Sequence, residues 1–136
     1  MSPTQRSLKY LRALGYHCAI VERWNHHTKI RQDLFGFADL LCIKKGCSPL
    51  LVQVTSSGWS SRIRKIQAEP LSELALASGF DIEVHGWRKL KTNKNKMTIK
   101  VIPITKDILN EFQNIQKNSG TDEFVAVSKA GFVPAM

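Results

Sequence analysis

The sequence predicts an α/β fold, a mixed sheet of about five strands flanked by helices. Two observations carry that prediction. Short apolar or alternating runs mark strands, while apolar residues at three-residue steps mark helices. The elements also interleave, in the order helix, strand, strand, strand, helix, strand, strand, helix, which neither an all-α nor an all-β domain has.

Leu8, Leu11 and Leu14 recur at three-residue steps, so residues 3–14 read as an amphipathic helix stopped by Gly15. His17 to Glu22 reads as a strand with Glu22 at its end. Residues 23–38 are polar, basic and aromatic, which reads as a long loop. Asp39 to Lys44 and Leu50 to Thr55 are near-continuous apolar runs, and the short turn Lys45 to Pro49 makes them an antiparallel hairpin of buried strands. Ser56 to Ser61 is a polar linker. Residues 62–78 read as helix interrupted at Pro70, with Ile63 and Ile66 buried before the break, Leu71 and Leu74 buried after it, and Gly79 as the stop. Asp81 to Trp87 and Thr98 to Pro103 alternate as strands around a basic turn. Thr105 can cap a last helix with Ile108, Phe112 and Ile115 on one face. Beyond Lys117 the chain turns polar, and residues 119–136 carry a net charge of −1. The organisation is therefore a domain over 1–118 and a C-terminal tail over 119–136, in which Phe124 to Val127 reads as a small strand, a docking segment or a frayed end.

A chain of 136 residues with 43% hydrophobic and 23% charged residues is one ordinary globular domain. No apolar run approaches the roughly 20 residues of a membrane span, and the N-terminus lacks the layout of a signal peptide. The three cysteines cannot all pair, and there is no C-x-x-C. A disulfide scaffold and a cysteine zinc site are therefore not expected, and a reducing, cytoplasmic setting is. Twenty Lys and Arg against eleven Asp and Glu leave a net charge of +9, which points to a polyanionic partner, of which nucleic acid is the commonest. No helix-turn-helix, zinc-finger or ribonucleoprotein motif is present, so sequence-specific reading is not expected.

Three polar residues carry the chemistry. Asp39 starts one central strand, and Gln53 and Thr55 end the next. Residues i and i+2 of a strand face one side, so Gln53 and Thr55 project together and adjacent short strands bring Asp39 to them. A carboxylate, an amide oxygen and a hydroxyl suit Mg²⁺, a hard cation that takes oxygen ligands. The plainer reading has Asp39 cap a turn and Gln53 satisfy a neighbouring backbone. Glu22 offers a further carboxylate. Asp33, six residues before Asp39, offers another or makes a turn. His26 and His27 are adjacent, point apart and lack a second pair for zinc, so they read as loop residues able to touch phosphate.

The cations form three clusters. Arg88, Lys89, Lys91, Lys94 and Lys96 with Lys100 place six cations in thirteen residues without an acid. Arg23, Lys29 and Arg31 accompany Trp24, and Arg62, Arg64 and Lys65 lie near Trp59. Cations interleaved with aromatics suit phosphate contact with base or sugar stacking, although the 88–96 turn also reads as a solvated hairpin tip.

The segment Arg31 to Leu41, followed by Leu51-Val52-Gln53-Val54-Thr55-Ser56, resembles the PD-(D/E)XK nuclease superfamily, its small Holliday-junction-resolvase-like and phage-encoded members most of all. The resemblance covers residues 3–103. It implies a Mg²⁺- or Mn²⁺-dependent DNA endonuclease or junction resolvase. The metal would sit on Asp39, on Gln53 where that superfamily has Glu, and on the Val54 carbonyl, with Glu22 as a further ligand. Thr55 stands where the superfamily has a catalytic Lys, so the missing cation would come from Lys65 or Arg62 on the following helix. The other reading of Lys65 pairs it with Glu69 one turn on. Gln53 removes a negative charge from the metal site, and Thr55 removes the group that orients the attacking water. Junction resolution needs two symmetric cuts, which implies a homodimer. The alternative is a catalytically inactive module of the same fold that binds nucleic acid or a protein partner.

Overall fold

The structure, a computed structural model, describes residues 1–94 and 96–111. These form α1 (Pro3–Ala13), β1 (His17–Ile20), β2 (Arg23–Asn25), β3 (Ile30–Gln32), β4 (Leu40–Ile43), β5 (Leu50–Thr55), α2 (Trp59–Ala68), α3 (Pro70–Ala77), β6 (Asp81–Leu90) and β7 (Lys96–Pro103). A helical segment follows over 106–111. The five-stranded sheet runs β1-β4-β5-β6-β7, with β5 and β6 parallel and the other neighbours antiparallel. This is the mixed α/β sheet the sequence predicts, and α2 and α3 form the crossover that a parallel pair requires.

Local chemistry sets the boundaries. The Ser2 hydroxyl accepts the Gln5 N–H at 3.1 Å and Pro3 occupies the first turn of α1. Gly15, at φ +99°, turns the chain away from the helix. Glu69 caps α3 by accepting the Leu71 N–H, and Thr105 caps the last helix by accepting the Ile108 N–H, as its sequence predicts.

Every residue of β5 is buried. Leu50, Val52 and Val54 pack with Leu8 and Leu11 of α1, Leu40, Cys42 and Trp87 on one face. Leu51 packs with Ile63 and Ile66 of α2, Ile82, Val84 and Ile102 on the other. Alternation places Gln53 and Thr55 on this second face, so its apolar surface gives way to polar groups at the carboxyl end of β5. A buried polar chain ties α1 to β6: Trp87 Nε1–H donates to Ser7 Oγ at 2.8 Å, Ser7 Oγ meets His85 Nδ1 at 2.9 Å, and His85 Nε2 meets Glu83 Oε1 at 3.0 Å.

Several boundaries differ from expectation. Residues 23–38 are not one irregular loop: β2 and β3 form an antiparallel hairpin, and Leu34 bridges Ala38 beyond it. Both strands are three residues long and mostly exposed, so no apolar alternation announces them. β1 ends at Ile20, and Glu22 lies just past it. β6 and β7 pair from Glu83–Pro103 out to Leu90–Lys96, so the strands run into the basic turn from both sides. Leu71 and Leu74 are 40% and 59% exposed, whereas Ser72 and Ala75 face the core. The extended Glu69 before Pro70 restarts the helix, which resets which side of α3 faces inward. Phe112, Ile115 and the segment 119–136 lie outside the described residues.

Candidate metal centre

Asp39 is pinned from both sides of its backbone. Its N–H donates to the Val52 carbonyl at 2.8 Å, and its carbonyl accepts the Val21 N–H at 2.9 Å, which extends the β1-β4-β5 ladder by one position. The residue is 5% exposed. Its Oδ2 accepts two hydrogen bonds from the end of β5, from Gln53 Nε2 and from the Val54 N–H, both at 2.8 Å. Asp39 and Gln53 thus converge as the strand pattern predicts. Val54 reaches the site through its N–H, and its carbonyl lies 3.5 Å from Gln53 Nε2.

Two more carboxylates arrive on the feet of the β2–β3 hairpin. Glu22 precedes β2 and Asp33 follows β3. The carboxylate oxygens of Glu22, Asp33 and Asp39 lie within 4.8 Å of one another. The reach of Asp33 has a local cause. Leu34 and Ala38 exchange backbone hydrogen bonds at 2.9 Å in each direction, closing a turn in which Phe35 and Gly36 have φ +57° and +83°. Asp33 and Asp39 flank this isolated bridge. Gly36 in a Phe-Gly-Phe tip six residues wide was the available signal in the sequence, and it upgrades Asp33 from a turn residue to a member of the cluster.

Each outer carboxylate carries a cation. Lys65 Nζ sits 2.8 Å from Asp33 Oδ2, and Arg31 Nη1 sits 3.4 Å from Glu22 Oε1. Lys65 therefore reaches across from α2 to the acidic cluster instead of pairing with Glu69. Thr55 does not reach it: its hydroxyl donates to the Ser57 carbonyl and accepts the Ser57 N–H at 3.2 Å. Burial pushes the Asp39 carboxyl up to about 8, the Val54 N–H opposes that rise, and the neighbouring Asp33 and Glu22 add to it. An anion at Asp39 is thus disfavoured even with Lys65 and Arg31 on its neighbours.

These groups line a cavity of about 640 Å³ between the first residues of α1 and the start of α2, with Arg31, Arg62 and Lys65 on its wall. The donors are all oxygens, which suits Mg²⁺ or Mn²⁺ over zinc. Gln53 Oε1 supports the same fit: Gln53 is 2% exposed and this oxygen has no hydrogen-bond partner among the described residues. A buried acceptor left unpaired beside three carboxylates calls for a donor or a cation.

The remaining basic residues disperse. Arg23 and Lys29 lie on the exposed β2–β3 hairpin, whose turn is closed by Asn25 Oδ1 accepting the N–H groups of His27 and Thr28. Arg64 is on the exposed side of α2. Arg88 and Lys96 share the α2 face of the β6–β7 hairpin and Lys89 takes the other, while Lys91 and Lys94 occupy the tip. Among the described residues no helix is long and apolar enough to cross a membrane. No family model matches the chain, and neither a curated protein nor a solved structure matches it.

Proposed function

We propose that this protein is a Mg²⁺- or Mn²⁺-dependent DNA endonuclease of the junction-resolvase-like kind. The observation that carries the reading is the cluster of Glu22, Asp33 and Asp39, with oxygens within 4.8 Å, at the wall of a cation-lined cavity in a chain of net charge +9. The carboxylates would hold the metal, with Gln53 Oε1 as a neutral oxygen donor. Bound there, the ion would supply Lewis-acid polarisation of a phosphate and acidify a water. Lys65, on the cavity wall at Asp33, takes the part of the cation that Thr55 lacks, orienting a water and countering phosphate charge. Arg31 and Arg62 face the same space and would meet the DNA backbone. Two copies would be needed to cut a four-way junction symmetrically.

One observation favours the second reading, an inactive nuclease-fold module that binds nucleic acid or a protein. Thr55, where the resembled superfamily has its Lys, is turned away onto Ser57. End-labelled branched, duplex and single-stranded DNA incubated with Mg²⁺ or Mn²⁺ separates the two. The nuclease cuts at least one substrate, and Asp39→Ala lowers that rate about a hundredfold or more. Salt-sensitive binding that ignores both EDTA and Asp39→Ala, with equal and negligible cutting by both proteins, establishes the module instead.

A further inference from the structure

Beside the first cavity, which three carboxylates and three cations line, lies a second one of about 270 Å³ whose charged lining residues are cations alone. Arg88 and Lys100 supply cations, Ser56 and Ser57 hydroxyls, and Trp59 a wall. Its construction is specific. Gly86 of β6 pairs with Lys100 of β7, and a Cβ at Gly86 would stand 3.5 Å from the Trp59 side chain. That is ordinary van der Waals contact, and Trp59 lies against this point of the strand. Lys100 Nζ then rests 4.9 Å from the centre of the Trp59 ring, a cation–π contact that holds the amine at the cavity. Arg88, two residues beyond Gly86, projects on the same face. No acidic residue lines this cavity.

The two cavities share Ser56 and Ser57. The first opens at the carboxyl end of β5, and the second where the parallel pairing of β5 with β6 ends at Thr55 and Gly86. We infer that the second cavity is a subsite for a backbone phosphate of a single nucleic-acid strand, next to the phosphate placed at the acidic cluster. The inference rests on the nuclease reading for what the neighbouring phosphate undergoes, but binding at the subsite requires neither metal nor cutting. The strand runs from the carboxylates past the Ser56-Ser57 turn, and Arg88 and Lys100 clamp the phosphate that follows. A phosphate pocket beside the reacting one supplies binding energy and register without reading sequence.

The test is anisotropy of a fluorescein-labelled oligothymidylate in EDTA, titrated at several salt concentrations. Arg88→Glu with Lys100→Glu should weaken binding about tenfold or more and reduce the salt slope by about 0.7, the share of one phosphate of a single strand. Lys9→Glu with Lys45→Glu, the same charge change at exposed positions outside both cavities, should stay within about threefold of the starting protein. Equal weakening by the two pairs makes the attraction a property of net charge and overturns the subsite. One millimolar inorganic phosphate should leave the oligonucleotide bound. Displacement by it as complete as by unlabelled oligonucleotide assigns the cavity to free phosphate and overturns the strand proposal. A protein that never cuts DNA yet passes these tests loses the nuclease reading and keeps the subsite. One that cuts but binds equally as wild type and as the Arg88/Lys100 pair keeps the nuclease reading and loses the subsite.

Discussion

Asp39 is held by donors that serve an anion and crowded by carboxylates that oppose one. The Val54 and Gln53 N–H groups reach its Oδ2, while burial, Asp33 and Glu22 push its carboxyl up to about 8. An unfolded Asp ionises near 3.9, so the folded chain binds a proton more tightly than the unfolded one. The stability this lends is complete below about pH 4 and is lost as pH rises toward 8. In EDTA, the melting temperature of Asp39→Asn minus that of wild type should therefore grow from pH 4 to pH 8, and a flat difference would remove the raised carboxyl. Lys65→Ala should lower cutting by about 10²–10⁴ with modest loss of DNA binding, since a water-orienting group acts on turnover. Thr55→Lys, which restores a cation at the end of β5, should raise the rate, and single-turnover cleavage reads both variants. Asp39 and Gln53 were legible because strand alternation and a short hairpin suffice to bring them together. Asp33 was legible only as one of two readings, carboxylate or turn residue, because a single glycine is all that signals the positive-φ turn at Phe35 and Gly36 beside it.

The β2–β3 hairpin is the element that most changes the account. Its strands are too short and too exposed to show a period, so the sequence left it as loop, yet Glu22 and Asp33 stand at its two ends. Replacing residues 24–31 with a short Gly-Ser turn should lower Mn²⁺ affinity at least tenfold by calorimetry. The same change should move the urea midpoint little, because none of the apolar residues on either strand is buried. The crossover makes a second contrast. Ile66 is fully buried beneath the sheet and Leu74 is 59% exposed. Ile66→Ala should cost about 2–5 kcal/mol, whereas Leu74→Glu should stay within about 0.5 kcal/mol. Helical periodicity found both residues, and only the restart at Pro70 decides which one faces the core.

Over the whole molecule, apolar runs and one short turn made the mixed sheet and the antiparallel β4–β5 pair legible, whereas the strand order and the parallel β5–β6 pair, joined through α2 and α3, are seen only in the structure. Charge was legible as a sum and not as a distribution, because alternation along β6 and β7 sends neighbouring cations to opposite faces. Packing also orders the thiols. Cys47 is exposed, Cys18 half-buried and Cys42 buried, and burial pushes the Cys42 thiol well up. A thiol reagent should label Cys47 first and Cys42 only after unfolding, as mass spectrometry of timed samples would record. All of the chemistry proposed depends on a cation joining three carboxylates that otherwise repel one another. A crystal soaked in millimolar Mn²⁺ and measured at the manganese absorption edge tests this most directly. The account predicts an anomalous peak bonded by at least two of Glu22, Asp33 and Asp39. Full-occupancy soaking that leaves no peak in this cluster would contradict it.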